Sequence, residues 1–162
     1  KRQFYKRRDY SRVVDGRNPI IAHEYLGSDV AGKDAFISDD IISSGESMLD
    51  IAYNLKARNA KRIFTYATYA IFTNGLASFD KAYQEGFIDG VFGSNLTYLS
   101  EELKNRPWFY EVDVSKYIAY FISALNHDMS ISALIDSHKK IDTLLEKRKE
   151  ERSKYQDTQL SF

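Results

Sequence analysis

Short apolar segments alternate along this chain with longer amphipathic ones, and this alternation constrains the fold more than any other feature. Residues 19–22 and 35–37 are short and uninterrupted, as strands buried on both faces of a sheet are. Residues 62–69 are β-branched and aromatic, which favours a strand, and residues 88–92 and Phe109–Val112 have the same character. The sequence therefore predicts five short strands, each of a length that suits a strand inside a sheet.

The segments between these strands have helical spacing. Met48, Ile51, Ala52 and Leu55 follow the i, i+3, i+4, i+7 pattern of an amphipathic helix, and Asn59 is a plausible left-handed stop. The other predicted helices cover residues 76–85, ended by Gly86, residues 115–126, and a last segment at 134–145.

Strands that alternate with helices predict an α/β fold with a mainly parallel sheet and helices on both faces. The chain has 162 residues, which suits one domain and is too short for two ordinary ones. We therefore expect a single domain over residues 1–145. The charge run in residues 146–162 indicates a solvated helix end or tail.

Charge and composition exclude several classes of function. Twenty-three basic residues balance 23 acidic ones, so no overall positive field favours nucleic acid or an anionic membrane. No apolar run approaches the roughly 20 residues of a membrane span. Cysteine is absent, which excludes disulfides and thiolate chemistry and fits a cytoplasmic location.

The segment FISDDIISSGES, residues 36–47, carries the strongest chemical signal. A strand leads into a small polar loop that opens a helix, where free backbone N–H groups and the helix dipole favour a bound phosphate. Ser43, Ser44 and Ser47 add hydroxyl donors, and Gly45 allows close approach of the backbone. The loop is therefore a candidate anion site.

Asp39 and Asp40, just before the loop, could accept hydrogen bonds from vicinal hydroxyls or hold Mg²⁺ through oxygen. Ligands of such sheets bind at the carboxyl ends of the strands, where these acids lie. The alternative is structural: Ser44 merely caps the helix, and Asp39 and Glu46 are incidental charges.

The loop DDIISSGES resembles the phosphoribosyl-diphosphate (PRPP) loop of type I phosphoribosyltransferases and of ribose-phosphate diphosphokinases. The order of further segments favours the diphosphokinases, because each resembles one of theirs along residues 4 to 145. These segments are Lys6-Arg7-Arg8, GKD at 32–34, ATYAIFTNG at 67–75, SNLTYL at 94–99 and SISAL at 130–134.

The resemblance implies a three-layer, type I phosphoribosyltransferase-like domain that binds ribose 5-phosphate. Asp39 and Asp40 would contact the ribose 2- and 3-hydroxyls and, with Mg²⁺ as cofactor, form the metal ligands. The loop of Ser43, Ser44, Gly45, Glu46 and Ser47 would hold the 5-phosphate.

By the same resemblance, Lys6 and Arg8 would be catalytic and clamp the phosphates of ATP, the second substrate. The family pattern also implies a homo-oligomer. The chain begins at Lys1 with a basic segment, so we expect that an amino-terminal domain of the same enzyme is missing.

Some positions depart from the diphosphokinase pattern: Ser43 and Ser44 replace an Asp and a Thr, Glu46 replaces a Gly, and Tyr69 replaces a His. Two alternatives therefore stay open. The chain could be a phosphoribosyltransferase that uses PRPP, although no nucleobase hood is evident, or a non-catalytic relative that senses PRPP or stabilises an enzyme oligomer.

Overall fold

The structure, a computed structural model, describes the backbone of residues 3–8, 20–26, 29–136 and 138–159. The chain forms two compact units, Lys1–Val114 and Ser115–Phe162. Within its described residues the first unit has strands and helices in the following order: β1 (Gln3–Arg8), β2 (Ile20–Leu26), β3 (Ala35–Ile42), α1 (Glu46–Ala57), β4 (Ile63–Ala70), α2 (Ala77–Gln84), β5 (Gly90–Ser94), α3 (Glu101–Lys104) and β6 (Phe109–Val112).

Strands β3, β4, β5 and β6 form one sheet in that order, and every neighbouring pair is parallel. One face is buried, through Ile63, Thr65 and Ala67 of β4, Val91 of β5 and Phe109 of β6. The α/β fold with a parallel sheet and helices is therefore confirmed. Each parallel crossover contains a helix, and the sequence predicts those in the first two crossovers, α1 and α2.

Strand β3 corrects one expectation, because it is not buried on both faces. Its residues from Ser38 to Ile41 are exposed, and only Ile42, at its end, is fully buried. The reason is its position: β3 lies at the edge of the four-stranded sheet, so it has β4 as its sole sheet neighbour among the described strands. The strand is also longer than predicted and contains both Asp39 and Asp40.

The second sheet face carries a row of aromatic side chains. The rings of Phe36 and Phe92 lie 6.4 Å apart, those of Phe64 and Phe92 6.3 Å, and Phe92 stacks on Tyr110 at 5.1 Å. Phe36 is 65% exposed, so this row is only partly covered. The aromatic residues of these strands therefore lie partly on one open face of the sheet and not in the core alone.

A separate two-stranded sheet pairs β1 with β2 in antiparallel orientation. Strand β1 was not predicted, and the strand expected at 19–22 is observed as β2. In this sheet Lys6 is paired with His23, and Arg8 with Ile20. The basic segment, to which the family resemblance assigns the catalytic residues, is thus part of a strand.

Helix α1 confirms three of its four predicted buried positions, Met48, Ala52 and Leu55, whereas Ile51 is half-buried and Leu49 is buried in addition. Asn59 ends the segment at a φ of 61°, and Gly86 ends α2 at a φ of 74°, so both predicted left-handed stops are confirmed. The short helix α3 was not predicted. It begins after Ser100, whose hydroxyl accepts a hydrogen bond from the Leu103 N–H.

The second unit contains the helices α4 (Ser115–Asn126), α5 (Ser132–Ile135) and α6 (His138–Gln159). Helix α4 matches its prediction, whereas the last predicted helix is divided between α5 and α6. The predicted boundary between residues 145 and 146 stays a prediction. In the part of the chain that the structure describes, no helix is both long and apolar enough to cross a membrane.

Candidate functional site

A cavity of about 270 Å³ lies where β3 passes into α1. It is open to solvent and is built from one continuous stretch of chain, so the local sequence determines its lining. The lining residues are Asp39, Asp40, Ile41, Ile42, Ser43, Ser44, Gly45, Ser47 and Met48.

The amino end of α1 has backbone donors that find no acceptor within the helix. Gly45 is the residue that precedes the helix, with φ 82° and ψ −11°, and no side chain caps this end. The first N–H groups to find an acceptor are those of Met48 and Leu49, which both donate to the Gly45 carbonyl at 3.1 and 3.0 Å. The N–H groups of Glu46 and Ser47 precede that turn and have no acceptor within the helix.

This geometry contradicts one part of the structural alternative, the helix cap at Ser44. Ser44 does not cap α1, because the capping position belongs to Gly45, which has no side chain. The left-handed conformation at this position is favourable only for glycine and a few other residue types. The serine hydroxyls around the cavity are therefore not needed to satisfy the helix.

The two acids lie on the open edge strand. Asp39 and Asp40 are both exposed, and the Asp40 N–H donates to Oδ1 of Asp39 at 2.9 Å. They are the acidic residues that line the cavity. Among the described residues, no cluster of three or more His, Cys, Asp or Glu side chains could hold a metal ion. Among the described residues, the carboxylates that could contact a cation in this cavity are those of Asp39 and Asp40.

The turn after β4 holds the beginning of the loop. The N–H groups of Ile71 and Phe72 donate to the Ile42 carbonyl at 3.0 and 3.1 Å, and the Thr73 N–H donates to the Ser43 carbonyl at 2.9 Å. The hydroxyls of Ser43 and Thr73 lie 3.3 Å apart. Sequence reasoning missed these supports, since they come from a different crossover of the sheet.

The remaining predicted site residues are placed less closely. Glu46 is exposed at the start of α1 and does not line the cavity. Lys6 and Arg8 lie on β1, and their side chains are outside the described part of the structure. The structure therefore brings together the two acids, the three serines and Gly45, and does not test the two basic residues.

The GKD segment has a structural role at the other end of the sheet. Asp34 precedes β3 and Arg62 precedes β4, and the guanidinium contacts both carboxylate oxygens, at 3.0 and 2.5 Å. These hydrogen bonds from Arg62 hold the pKa of the Asp34 carboxyl below its usual value. The pair fixes the amino ends of two parallel strands whose carboxyl ends form the cavity.

Comparison with known proteins shows the family to which the chain belongs. The sequence profile described as phosphoribosyl synthetase-associated domain matches residues 15–136, which is more than half of the chain. The chain belongs to this family. The ribose-phosphate pyrophosphokinase of Vibrio cholerae is 32% identical over 127 residues, which are 76% of this chain and 40% of that protein.

Two further ribose-phosphate pyrophosphokinases are equally similar. The ribose-phosphate pyrophosphokinase of Haemophilus influenzae is 32% identical over 127 residues (76% of this chain, 39% of the relative), and that of Pasteurella multocida is 32% identical over 125 residues (75% and 39%). The chain thus spans about 40% of the length of the curated relatives it matches.

A solved structure supports the fold independently. The phosphoribosylpyrophosphate synthetase from Mycobacterium smegmatis superposes with a TM-score of 0.57 at 23% identity, over 66% of this chain and 34% of that one. At this identity the likeness concerns the fold alone. It agrees with the parallel α/β sheet described above.

Proposed function

We propose that this chain is the carboxy-terminal, ribose-5-phosphate-binding half of a ribose-phosphate diphosphokinase. The observation that carries the proposal is the cavity between β3 and α1, in a chain whose curated relatives are ribose-phosphate pyrophosphokinases. The complete reaction would transfer the diphosphate of ATP to the C1 hydroxyl of ribose 5-phosphate, which gives PRPP and AMP for nucleotide biosynthesis.

The amino end of α1 would hold the 5-phosphate. The N–H groups of Glu46 and Ser47 have no helical acceptor, and the positive end of the helix dipole adds to their attraction for an anion. The hydroxyls of Ser43, Ser44 and Ser47 border the same cavity and can donate to further phosphate oxygens.

Asp39 and Asp40 would recognise the ribose. Both carboxylates are exposed, and an ionised carboxylate can accept several hydrogen bonds at once. Asp39 uses Oδ1 for the Asp40 N–H, so its second oxygen can accept from a hydroxyl. Two vicinal ribose hydroxyls supply two donors on one side of the sugar, which suits two adjacent acids.

The same carboxylates suit Mg²⁺ only when a ligand completes its coordination. Mg²⁺ is commonly bound by one or two carboxylates together with substrate phosphates and water, and two acids line this cavity. Bound there, the ion would neutralise phosphate charge. The protein residues that would hold it are Asp39 and Asp40.

Catalysis requires groups that are not among the described residues lining the cavity. Lys6 and Arg8 would neutralise the phosphates of ATP as charge develops during diphosphoryl transfer, a reaction that depends on positioning and charge neutralisation. We further propose that ATP is held largely by an amino-terminal domain of the same enzyme, within a homo-oligomer in the cytoplasm. The share of the relatives' length that this chain spans leaves room for such a domain.

Two assays on the 162-residue chain test the proposal. Calorimetric titration should detect weak binding of ribose 5-phosphate and of inorganic phosphate, because the loop carries its own donors. Release of AMP from ATP and ribose 5-phosphate should be absent, because under the proposal ATP is held largely by another domain. Misplacement of a reactant by about 1 Å already costs on the order of a hundredfold in rate.

The outcomes separate the alternatives. No binding of either ligand would contradict a ribose-5-phosphate site in this chain. Turnover comparable to that of a complete diphosphokinase would contradict the half-enzyme proposal. Tight binding of PRPP with no turnover in any longer protein that contains the chain would favour a sensing relative instead.

A further inference from the structure

The ring of Phe79 lies directly against the backbone of Gly45. A Cβ atom at position 45 would be 2.2 Å from Cε2 of Phe79 and 2.6 Å from its Cζ, far inside van der Waals contact. The three side-chain atoms nearest to that point all belong to Phe79. Glycine is therefore required here for two reasons, its positive φ of 82° and the approach of this ring.

The position of the Phe79 ring is itself fixed. The side chain is fully buried on α2, stacked on Trp108 at 5.7 Å and in an edge contact with Phe72 at 5.0 Å. Trp108 is held in turn, because its indole N–H donates to the Asp80 carboxylate at 2.8 Å. A close-packed interior of this kind does not let one ring shift without its neighbours.

The loop is thus held at two points. The turn after β4 holds its beginning through Ile42 and Ser43, and Phe79 lies under its end at Gly45. Ser44 lies between these points, and Glu46 and Ser47, whose N–H groups have no acceptor within α1, follow directly after Gly45. The direction of those N–H groups depends on where the Gly45 backbone lies.

We propose that Phe79 is a positioning residue for the phosphate loop, residues 43–47. Its ring fixes the position and the left-handed conformation of the Gly45 backbone. The first N–H groups of α1 are thereby directed toward a bound phosphate. The inference rests on the proposed function, since it assigns Phe79 to the same anion site. Binding groups must be held within about 0.5 Å of their productive geometry, and a buried aromatic ring provides such a support.

The first test compares Phe79→Leu with Phe109→Leu. Phe109 is a matched control because it is buried in the same aromatic cluster, where its ring contacts Phe72 and Trp108. Circular dichroism first establishes a temperature at which both variants are folded. We expect Phe79→Leu to weaken binding of ribose 5-phosphate and of inorganic phosphate by about tenfold, the equivalent of one hydrogen bond to a charged group. Phe109→Leu should weaken it much less.

The second test does not need a ligand. The amides of Met48 and Leu49 donate to the Gly45 carbonyl, so their hydrogen exchange reports on the conformation of Gly45. Exchange at these two amides should be faster in Phe79→Leu than in Phe109→Leu. Equal exchange and equal affinity in the two variants would overturn the proposal, because Phe79 would then be ordinary core.

The third test is a rescue. Gly45→Ala should lose phosphate binding, and the addition of Phe79→Leu should recover at least about threefold in affinity, since leucine lacks the two ring atoms that clash. No recovery would assign the loss in Gly45→Ala to the positive φ of this position and would count against the ring contact as its cause. If the unmodified chain binds neither probe, the proposed function fails, and the exchange comparison alone then decides the role of Phe79.

Discussion

Asp39 and Asp40 provide the sharpest test of the ribose assignment, through the double variant Asp39→Asn, Asp40→Asn. Both side chains are exposed on an edge strand, so their replacement leaves no buried charge behind. Asparagine also keeps an Oδ1 that can accept the Asp40-position N–H now bonded to Asp39. We therefore expect the stability of the fold to change by no more than about 0.5 kcal/mol.

The effect on ribose binding should be much larger. A hydrogen bond to a charged group contributes about 1.5–3 kcal/mol and a neutral one about 0.5–1.5 kcal/mol, so each Asp→Asn change should cost about 1–1.5 kcal/mol. Two changes give about 2–3 kcal/mol, or a loss of roughly 30- to 150-fold in affinity for ribose 5-phosphate.

The affinity for inorganic phosphate should not fall in the same double variant. It has no ribose hydroxyls, and the double variant removes two negative charges near the helix end. The Coulomb gain across a solvated cavity is under about 1 kcal/mol for each charge, and salt reduces it further. Phosphate affinity should therefore stay the same or rise slightly while ribose 5-phosphate affinity falls.

Calorimetric titrations of both ligands without Mg²⁺ measure this difference. The matched control is Asp142→Asn with Glu146→Gln, which changes the net charge equally at two exposed positions of α6. The reasoning would be refuted by a double variant that binds ribose 5-phosphate as the unmodified chain does, or that loses both ligands equally.

Two further predictions concern other parts of the chain. In an active diphosphokinase that contains this chain, Lys6→Ala and Arg8→Ala should lower kcat far more than they raise KM for ribose 5-phosphate, with Arg7→Ala as the control; a change in KM alone would indicate simple attraction of phosphate. Because Arg62 lowers the pKa of Asp34 in the folded state, this pair should stabilise the fold above the ordinary carboxyl pKa and lose its effect as the pH falls through the lowered value. Urea unfolding of Asp34→Asn at pH 7 and near pH 3 should show a smaller loss of stability on acidification than the unmodified chain; an equal loss would count against the pair.

The secondary structure could be predicted from the sequence where the residues of a single element determine whether it is a helix, a strand or a stop. The period of α1 and the left-handed stops at Asn59 and Gly86 were correct because helix spacing and positive φ are local properties. The exposure of β3 could not be predicted, since it depends on which strands are its neighbours. The strand β1 was missed because its basic residues, from Lys6 to Arg8, lack the apolar pattern of a strand.

The site was predictable in the same partial way. The loop from Asp39 to Ser47 is continuous in sequence, so its acids, serines and glycine could be recognised together. Its supports could not, because Thr73 and Phe79 reach the loop from the next crossover. SNLTYL shows the converse: Ser94 is buried and donates to the Thr68 carbonyl at 2.6 Å, a structural bond that the family resemblance does not distinguish from a site contact.

The charges around the cavity suggest why binding and catalysis would be divided between parts of a larger protein. Two aspartates and no Lys or Arg are among the described residues that line it, and Glu46 adds a third acid at the helix start. A sugar phosphate would therefore meet backbone and hydroxyl donors but no cation among these described lining residues, and its affinity for them alone should be weak. Transfer of a diphosphate needs strong neutralisation of several phosphates at once. Under the proposed function, that positive charge must be brought to the cavity by groups such as Lys6 and Arg8 and by Mg²⁺ bound with the substrates.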